Sequence, residues 1–145
     1  MDQWKNLAAI VMVTVLALSP AAEATKGKGR GDVSRDVAVS ISLSQEEAAT
    51  LVFMREEEKL ARDVYRVMFD QWDMRIFTNI SSSEQSHMDA MLAKINFYRL
   101  SDPVIDDSTG AFVNTDLAAA YLSLTEWGMV SLEDALRAGA YIEEL

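Results

Sequence analysis

The feature that most constrains the fold is an apolar stripe at helical spacing through residues 45–72. Its members follow the i, i+3, i+4, i+7 rule for one face of a helix. They are Leu51, Met54, Glu58, Ala61, Tyr65, Met68 and Trp72. A neighbouring stripe with Leu60 and Val64 widens the apolar arc and carries Glu57 in a similar way. The pattern predicts a long helix with a broad buried face, in which a carboxylate interrupts the apolar side chains.

The other charged residues of this segment are expected on the opposite, solvated side of the helix. Those with the matching spacing are Glu56, Lys59, Asp63, Arg66 and Asp70. Glu58 does not share that side, because its neighbours in the stripe are apolar. A carboxylate that faces a core is costly unless it is paired or bound to a metal. Glu58 is therefore a candidate functional residue.

Capping patterns predict further helices and no sheet of more than trivial size. Ser44 with Glu47 forms a capping box before the first helix. Asn114 and Ser131 are placed to cap two later helices. The chain is thus predicted to be all-α, a helical bundle with three long helices and a short crossover helix. The helices are expected at about 45–72, 75–100, 115–127 and 132–145.

The second predicted helix carries the sequence Glu84-x-x-His87, which contains the only histidine of the chain. Residues i and i+3 of a helix project from the same side, so both side chains can reach one metal ion. In the last helix, Glu143 follows Leu132, Leu136 and Gly139 at helical spacing. The candidate metal ligands are Glu58, Glu84, His87 and Glu143.

Composition limits the metal and the partners. The chain contains no cysteine, so any metal site is built from oxygen and imidazole nitrogen, which suit iron, manganese or zinc. The formal net charge of −10 argues against a nucleic-acid partner, whose phosphates would be repelled. A hydrolase is not indicated, since the sequence lacks His-Glu-x-x-His and Gly-x-Ser-x-Gly.

The first residues of the chain resemble a secretory signal peptide over 1–24. Lys5 supplies a positive start, residues 7–18 form an apolar stretch that is too short to span a bilayer, and Ala22-Glu23-Ala24 is a cleavage pattern. The glycine- and lysine-containing segment 25–42 is predicted to be a flexible linker. We therefore expect a periplasmic or secreted domain over 43–145, with no membrane span after cleavage.

The predicted domain resembles the DUF2202 family, a ferritin-like family, over about residues 43–145. The segments that carry the resemblance are 53–65, 83–88, 131–136 and 139–145. Within the first segment, Glu58-x-x-Ala61-Arg62-x-x-Tyr65 is similar to the first-helix motif of rubrerythrins. The resemblance implies that Glu58, Glu84 and His87 bind iron, with Glu143 as a third-helix carboxylate. It also implies a di-iron or manganese oxidoreductase, or a ferroxidase-like activity, in which Tyr65 lies near the metal.

One departure from the ferritin-like pattern leaves alternatives open. Such a site takes a Glu-x-x-His from each of two helices, and this sequence has one such motif. The chain is therefore expected to be C-terminally truncated, to form a homodimer through the face of the missing helix, or to be a non-catalytic helical module with an incomplete metal site. The bundle is expected to leave an exposed apolar strip that includes Ala61, Met68 and Met91.

Overall fold

The computed structural model describes residues 42–144, which form four α-helices and no strands. The bounds are α1 Gln45–Trp72, α2 Arg75–Phe97, α3 Thr115–Gly128 and α4 Leu132–Ile142. The all-α prediction is confirmed for this part of the chain. The predicted signal peptide and nearly all of the predicted linker lie outside the described residues. No helix in 42–144 is long and apolar enough to cross a membrane.

Local sequence sets the helix ends. Ser44 and Glu47 form the expected reciprocal capping box at the start of α1. Helix α2 ends three residues before the predicted residue 100, because Arg99 adopts the left-handed conformation with φ 57°. The backbone N–H of Leu100 then donates to the carbonyl of Ile95, as in a Schellman motif. The chain thus leaves α2 at a defined angle into the 98–114 loop.

Helix α1 is the centre of the fold, with α2 antiparallel to it on one side and α3 and α4 packed elsewhere around it. Every residue from 55 to 65 is buried except Glu57 and Glu58, which are half-buried. The apolar core lies where α1 meets α3 and α4, with Phe77 added from α2. It includes Leu60, Val64, Tyr65, Met68, Phe77, Leu117, Leu124, Ala135, Ala138 and Ile142.

The prediction of a solvated side on α1 is wrong for three of its five residues. Glu56, Lys59 and Asp63 are buried, and only Arg66 and Asp70 are exposed. The reason is that the 98–114 loop folds back over this side of the helix and supplies partners for its charges. Helical spacing in the sequence cannot distinguish water from a polar loop, because both suit charged side chains.

The loop is held by ion pairs and hydrogen bonds from α1. The Lys59 ammonium donates to Asp63 and to the carbonyl of Ser108, and the backbone N–H of Gly110 donates to Asp63 at 3.1 Å. The guanidinium of Arg62, which is also fully buried, donates to Asp107 at 2.7 Å. Each buried charge in this group, which we call the loop-anchoring network, therefore has a partner of opposite charge.

Two further residues of α1 extend the loop-anchoring network to both ends of the loop. Arg55 pairs with Asp102 near the start of the loop, with a nitrogen–oxygen distance of 3.2 Å. Glu56 accepts hydrogen bonds from the backbone N–H groups of Val113 and Asn114, just before α3. A carboxylate at that position also favours the helix that follows, because a helix N-terminus carries partial positive charge.

The predicted exposed apolar strip is also wrong for Ala61 and Met68, which are 5% and 1% exposed, while Met91 is half-buried. Short helices cover this part of α1 through close backbone contacts. A Cβ atom at Gly128 would lie 2.6 Å from the terminal methyl of Met68. A Cβ atom at Gly139 would lie 3.0 Å from the Tyr65 ring. Because glycine has no side chain, α3 and α4 can approach α1 closely at these two positions.

We expect Asp63→Asn to lower the free energy of unfolding by about 3–5 kcal/mol, because it leaves the buried Lys59 ammonium without its carboxylate. Chemical denaturation monitored by circular dichroism measures the change. The matched control is Glu133→Gln, which removes one partner of an exposed pair with Arg137 and should have no measurable effect. Equal effects of the two substitutions would show that the loop-anchoring network does not stabilise the fold.

Candidate metal centre

Three of the four candidate ligands meet between α1 and α2. Glu58 comes from α1, and Glu84 and His87 come from one turn of the antiparallel α2. The Nδ1 atom of His87 lies 2.9 Å from Oε2 of Glu84 and 3.4 Å from Oε2 of Glu58. One ligand atom from each residue can be chosen so that all lie within 4.8 Å of one another. The sequence prediction that these three side chains converge is confirmed.

The group runs from the helix interface to the surface. The exposed fractions of the side chains are 8% for Glu84, 16% for Glu58 and 54% for His87. The carboxylates are therefore largely screened from water, while the imidazole forms an open edge. A small molecule or ion can reach this group from the histidine side without a change in the helices.

Protonation at the centre reflects two carboxyl groups that lie close together. Burial, together with a hydrogen bond to Glu84 and the charge of Glu57, raises the pKa of Glu58 to about 7. Burial alone would lower the pKa of His87, but its hydrogen bonds and attraction to Glu84 and Glu58 outweigh burial and raise it. Both shifts favour extra protons at the centre, because positive charge is otherwise lacking there.

Glu57 is a further carboxylate near the centre, and it was not among the predicted ligands. It is half-buried, and burial and the charges of Glu84 and Glu143 raise its pKa. The rubrerythrin-like motif favoured Glu58 as the ligand. The sequence did contain one indication that Glu57 is partly buried, because position 57 falls within the wide apolar arc of α1.

Glu143 lies outside the group of three, at the end of the bundle core. It follows Ile142, the last residue of α4, and it is an exposed residue. Its Oε1 atom nevertheless accepts a hydrogen bond of 2.9 Å from the hydroxyl of the buried Tyr65. The charge of Glu143 also contributes to the raised pKa of Glu57.

The carboxylates on the two sides of α1 differ in the number of cationic partners that they have. In the loop-anchoring network, Asp63 has both Lys59 and Arg62 within ion-pair distance. On the other side, the ion pairs formed by Glu58 and Glu84 within residues 42–144 are with His87 alone. Grouped carboxylates in a partly dry site repel one another unless a cation or protons are added.

The donor set and its spacing fit a metal ion. Bonds of about 2.0–2.2 Å place neighbouring ligand atoms about 2.8–3.1 Å apart in octahedral geometry and about 3.3–3.6 Å apart in tetrahedral geometry. The two distances from His87 Nδ1, 2.9 and 3.4 Å, are of this size. Two carboxylates and one imidazole would suit zinc, iron or manganese.

The chain resembles an archaeal protein in sequence and in structure. It is 48% identical over 103 residues to the uncharacterized protein MJ0754 of Methanocaldococcus jannaschii, a match that covers 71% of this chain and 56% of the relative. The chain therefore spans little more than half the length of that relative. The crystal structure of the hypothetical protein MJ0754 from Methanococcus jannaschii superposes with a TM-score of 0.69, covering 70% of this chain and 58% of the other.

A family comparison agrees with this relationship. Residues 47–145 match a family described as "Uncharacterized protein domain (DUF2202)". The match includes all four helices except the first two residues of α1, and it includes all of the candidate ligands. The chain belongs to the DUF2202 family.

Proposed function

We propose that this protein is an exported, ferritin-like metal-binding protein that holds a divalent cation with Glu58, Glu84 and His87. Iron is the preferred metal, and manganese or zinc are alternatives with similar ligand chemistry. One observation carries the proposal: two carboxylates, Glu58 and Glu84, share a partly dry site in which His87 is their only cationic partner within residues 42–144. A divalent cation would supply the charge that this site lacks.

The arrangement of ligands supports the ferritin-like part of the proposal. Ferritin-like metal proteins draw a Glu from one helix and a Glu-x-x-His from a neighbouring helix of the same bundle. Glu58 on α1 and Glu84-x-x-His87 on α2 have this relationship, and both lie on long antiparallel helices. We propose Glu143, which directly follows α4, as an additional carboxylate ligand.

An oxidoreductase or ferroxidase-like activity is the chemistry that this centre suits best. A bound iron or manganese ion supplies one-electron exchange with oxygen or peroxide. The two glutamates would neutralise the ion, and His87 would bind it as neutral imidazole. The open edge beside His87, whose side chain is 54% exposed, would admit the small oxidant. Tyr65 is buried, and its hydroxyl donates a hydrogen bond to Glu143.

A second copy of the chain is the partner that we propose. A symmetric two-metal centre of this class uses two histidines, and these 145 residues contain one. Two copies that meet at the open edge of the centre would bring two histidines together. This homodimer and the export of the protein are proposals that analytical ultracentrifugation and cell fractionation can test.

We expect Glu84→Gln and His87→Ala each to weaken binding of Mn²⁺ or anaerobic Fe²⁺ by more than about 100-fold, because each removes a direct ligand. Isothermal titration calorimetry on the purified protein measures the affinity. Glu133→Gln, which changes an exposed carboxylate of α4, is the matched control and should bind as the wild type does. Wild-type protein that binds neither metal would instead support a non-catalytic helical module.

The stability of the metal-free protein should fall as pH rises from about 4.5 to about 7. The folded-state pKa of Glu58 is raised to about 7, so the folded state binds more protons in this window than the unfolded state does. The raised pKa values of Glu57 and His87 act in the same direction. Denaturant unfolding at several pH values, with a chelator present, measures the slope.

Glu58→Gln should flatten this pH dependence. It should also stabilise the metal-free protein at pH 7 by about 1–2 kcal/mol after allowance for solvent screening, because it removes a repelled charge. The same substitution should weaken metal binding. If Glu58→Gln destabilises the metal-free protein at pH 7, the repulsion between carboxylates is not the dominant feature of the site.

A further inference from the structure

We propose that Arg55 and Arg62 of α1 are positioning residues, which hold α2 at the place along α1 where its metal ligands meet Glu58. This inference rests on the proposed function, since it requires that a cation binds at Glu58, Glu84 and His87. It connects the loop-anchoring network to the affinity of the metal centre, through side chains that do not themselves bind the metal.

The metal centre needs a fixed alignment of two helices. Glu84 and His87 lie in one turn of α2, so the backbone of that helix limits the distance between them. Glu58 lies on α1, so its distance from the other two ligands depends on where α2 is placed along α1. A slide of α2 by one residue would move its ligands by about 1.5 Å, which is most of a metal–ligand bond of about 2.0–2.2 Å. Contacts between the helices beside the ligands therefore decide whether the three side chains can share one ion.

Two arginines of α1 hold α2 directly beside its ligands. Nη1 of Arg62 donates a hydrogen bond of 2.8 Å to Oε1 of Gln85. Nη1 of Arg55 donates a hydrogen bond of 3.0 Å to the backbone carbonyl of Met88. Gln85 and Met88 each directly follow one of the two α2 ligands in the chain. The turn that carries both ligands is thus held at two points.

The same arginines lie on both sides of the ligand from α1. Arg55 comes three residues before Glu58 and Arg62 four residues after it, so the three side chains project from the same side of the helix. Both arginines are buried, with 6% and 0% of the residue exposed. Because one contact lies a turn before Glu58 and the other a turn after it, they resist both a slide and a rotation of α2.

The loop between α2 and α3 orients both guanidinium groups. Nε and Nη2 of Arg55 each donate to the carboxylate of Asp102 at 3.2 Å. Nε of Arg62 donates to Asp63 at 2.9 Å, and its Nη2 donates to Asp107 at 2.7 Å. A guanidinium group is planar and rigid, so fixing Nε and Nη2 leaves Nη1 in one direction. In both arginines that direction leads to α2.

The first test is Gln85→Met, which keeps the length of the side chain and removes the acceptor for Arg62. We expect it to weaken Mn²⁺ binding by about tenfold, the effect typical of losing a group that orients metal ligands. Titration calorimetry under conditions in which circular dichroism shows a folded protein measures the affinity. The matched control is Ser86→Ala in the same turn, because the Ser86 hydroxyl donates to Ser82 within α2. The control should bind as the wild type does, and wild-type affinity in Gln85→Met would overturn the role of Arg62.

The second test acts from the loop. Asp107→Ala removes a partner that orients Arg62, and its side chain is 63% exposed, so the variant should fold. We expect Mn²⁺ binding to weaken about threefold or more. Asp106→Asn is the control, because it removes a neighbouring loop charge and keeps the oxygen that accepts from the backbone N–H of Ser108.

The double variant shows whether the two changes act through the same arginine. Gln85→Met combined with Asp107→Ala should bind Mn²⁺ about as weakly as Gln85→Met alone, because both interrupt one chain of contacts through Arg62. Losses of affinity that multiply in the double variant would show independent effects and overturn the proposed chain of contacts.

The role of Arg55 is tested by Arg55→Met, with Asp102→Ala as the second variant if Arg55→Met does not fold. Each should weaken Mn²⁺ binding about threefold or more, because α2 loses its contact at Met88 or the orientation of that contact. Wild-type affinity in a folded variant of this pair would overturn the role of Arg55.

A spectroscopic measurement separates positioning from a merely structural role. The visible absorption of bound Co²⁺ reports the geometry of its ligands, and it should change in Gln85→Met and stay like the wild type in Ser86→Ala. A structural role alone predicts lower resistance to denaturant with the wild-type spectrum and affinity in the folded protein. That result would overturn the proposal.

The outcomes also separate this inference from the proposed function. If the wild type binds Mn²⁺ and His87→Ala abolishes binding, the metal centre is established. Wild-type affinity in the folded variants at Gln85 and Arg55 would then overturn the positioning role alone. If the wild type binds no metal, both proposals fall together.

Discussion

The structure depends on how the charged side chains of α1 are neutralised after the helix leaves water. From residue 55 to residue 65 this helix is covered on nearly every side, yet the segment carries many charges. A buried charge without a partner is costly enough to unfold a small domain. The surrounding elements must therefore supply opposite charges or hydrogen-bond donors at defined positions. The two sides of α1 meet this requirement in different ways.

The loop-anchoring network meets the requirement within the protein. Carboxylate and carbonyl groups of α1 and of the loop that joins α2 to α3 accept hydrogen bonds from Arg55, Lys59 and Arg62. Since the loop is held at several points, α3 begins at a fixed place beside α1, where Glu56 accepts hydrogen bonds from the two backbone N–H groups just before the helix.

On the opposite side of α1, we propose that a bound cation meets the requirement. Glu58 and Glu84 share the single histidine as their ion-pair partner within the described residues, and burial beside Glu84 raises the pKa of Glu58. The family match covers all the helices that carry these residues, apart from the first two residues of α1. The proposed activity rests on the chemistry of the site, because the relative of similar sequence is uncharacterized and considerably longer than this chain.

The sequence alone determined the elements and the first part of the site. Apolar periodicity and capping residues predicted four helices with bounds close to those observed, because both depend on neighbours within one turn. The same periodicity brought Glu58 to the face that meets Glu84 and His87. The tertiary structure decided what local spacing cannot express. It placed a polar loop rather than water over Lys59 and Asp63. It also brought Glu143 within hydrogen-bond distance of the Tyr65 hydroxyl. These outcomes depend on which distant segments meet, and a charged helix face looks the same in sequence whether solvent or another part of the chain neutralises it.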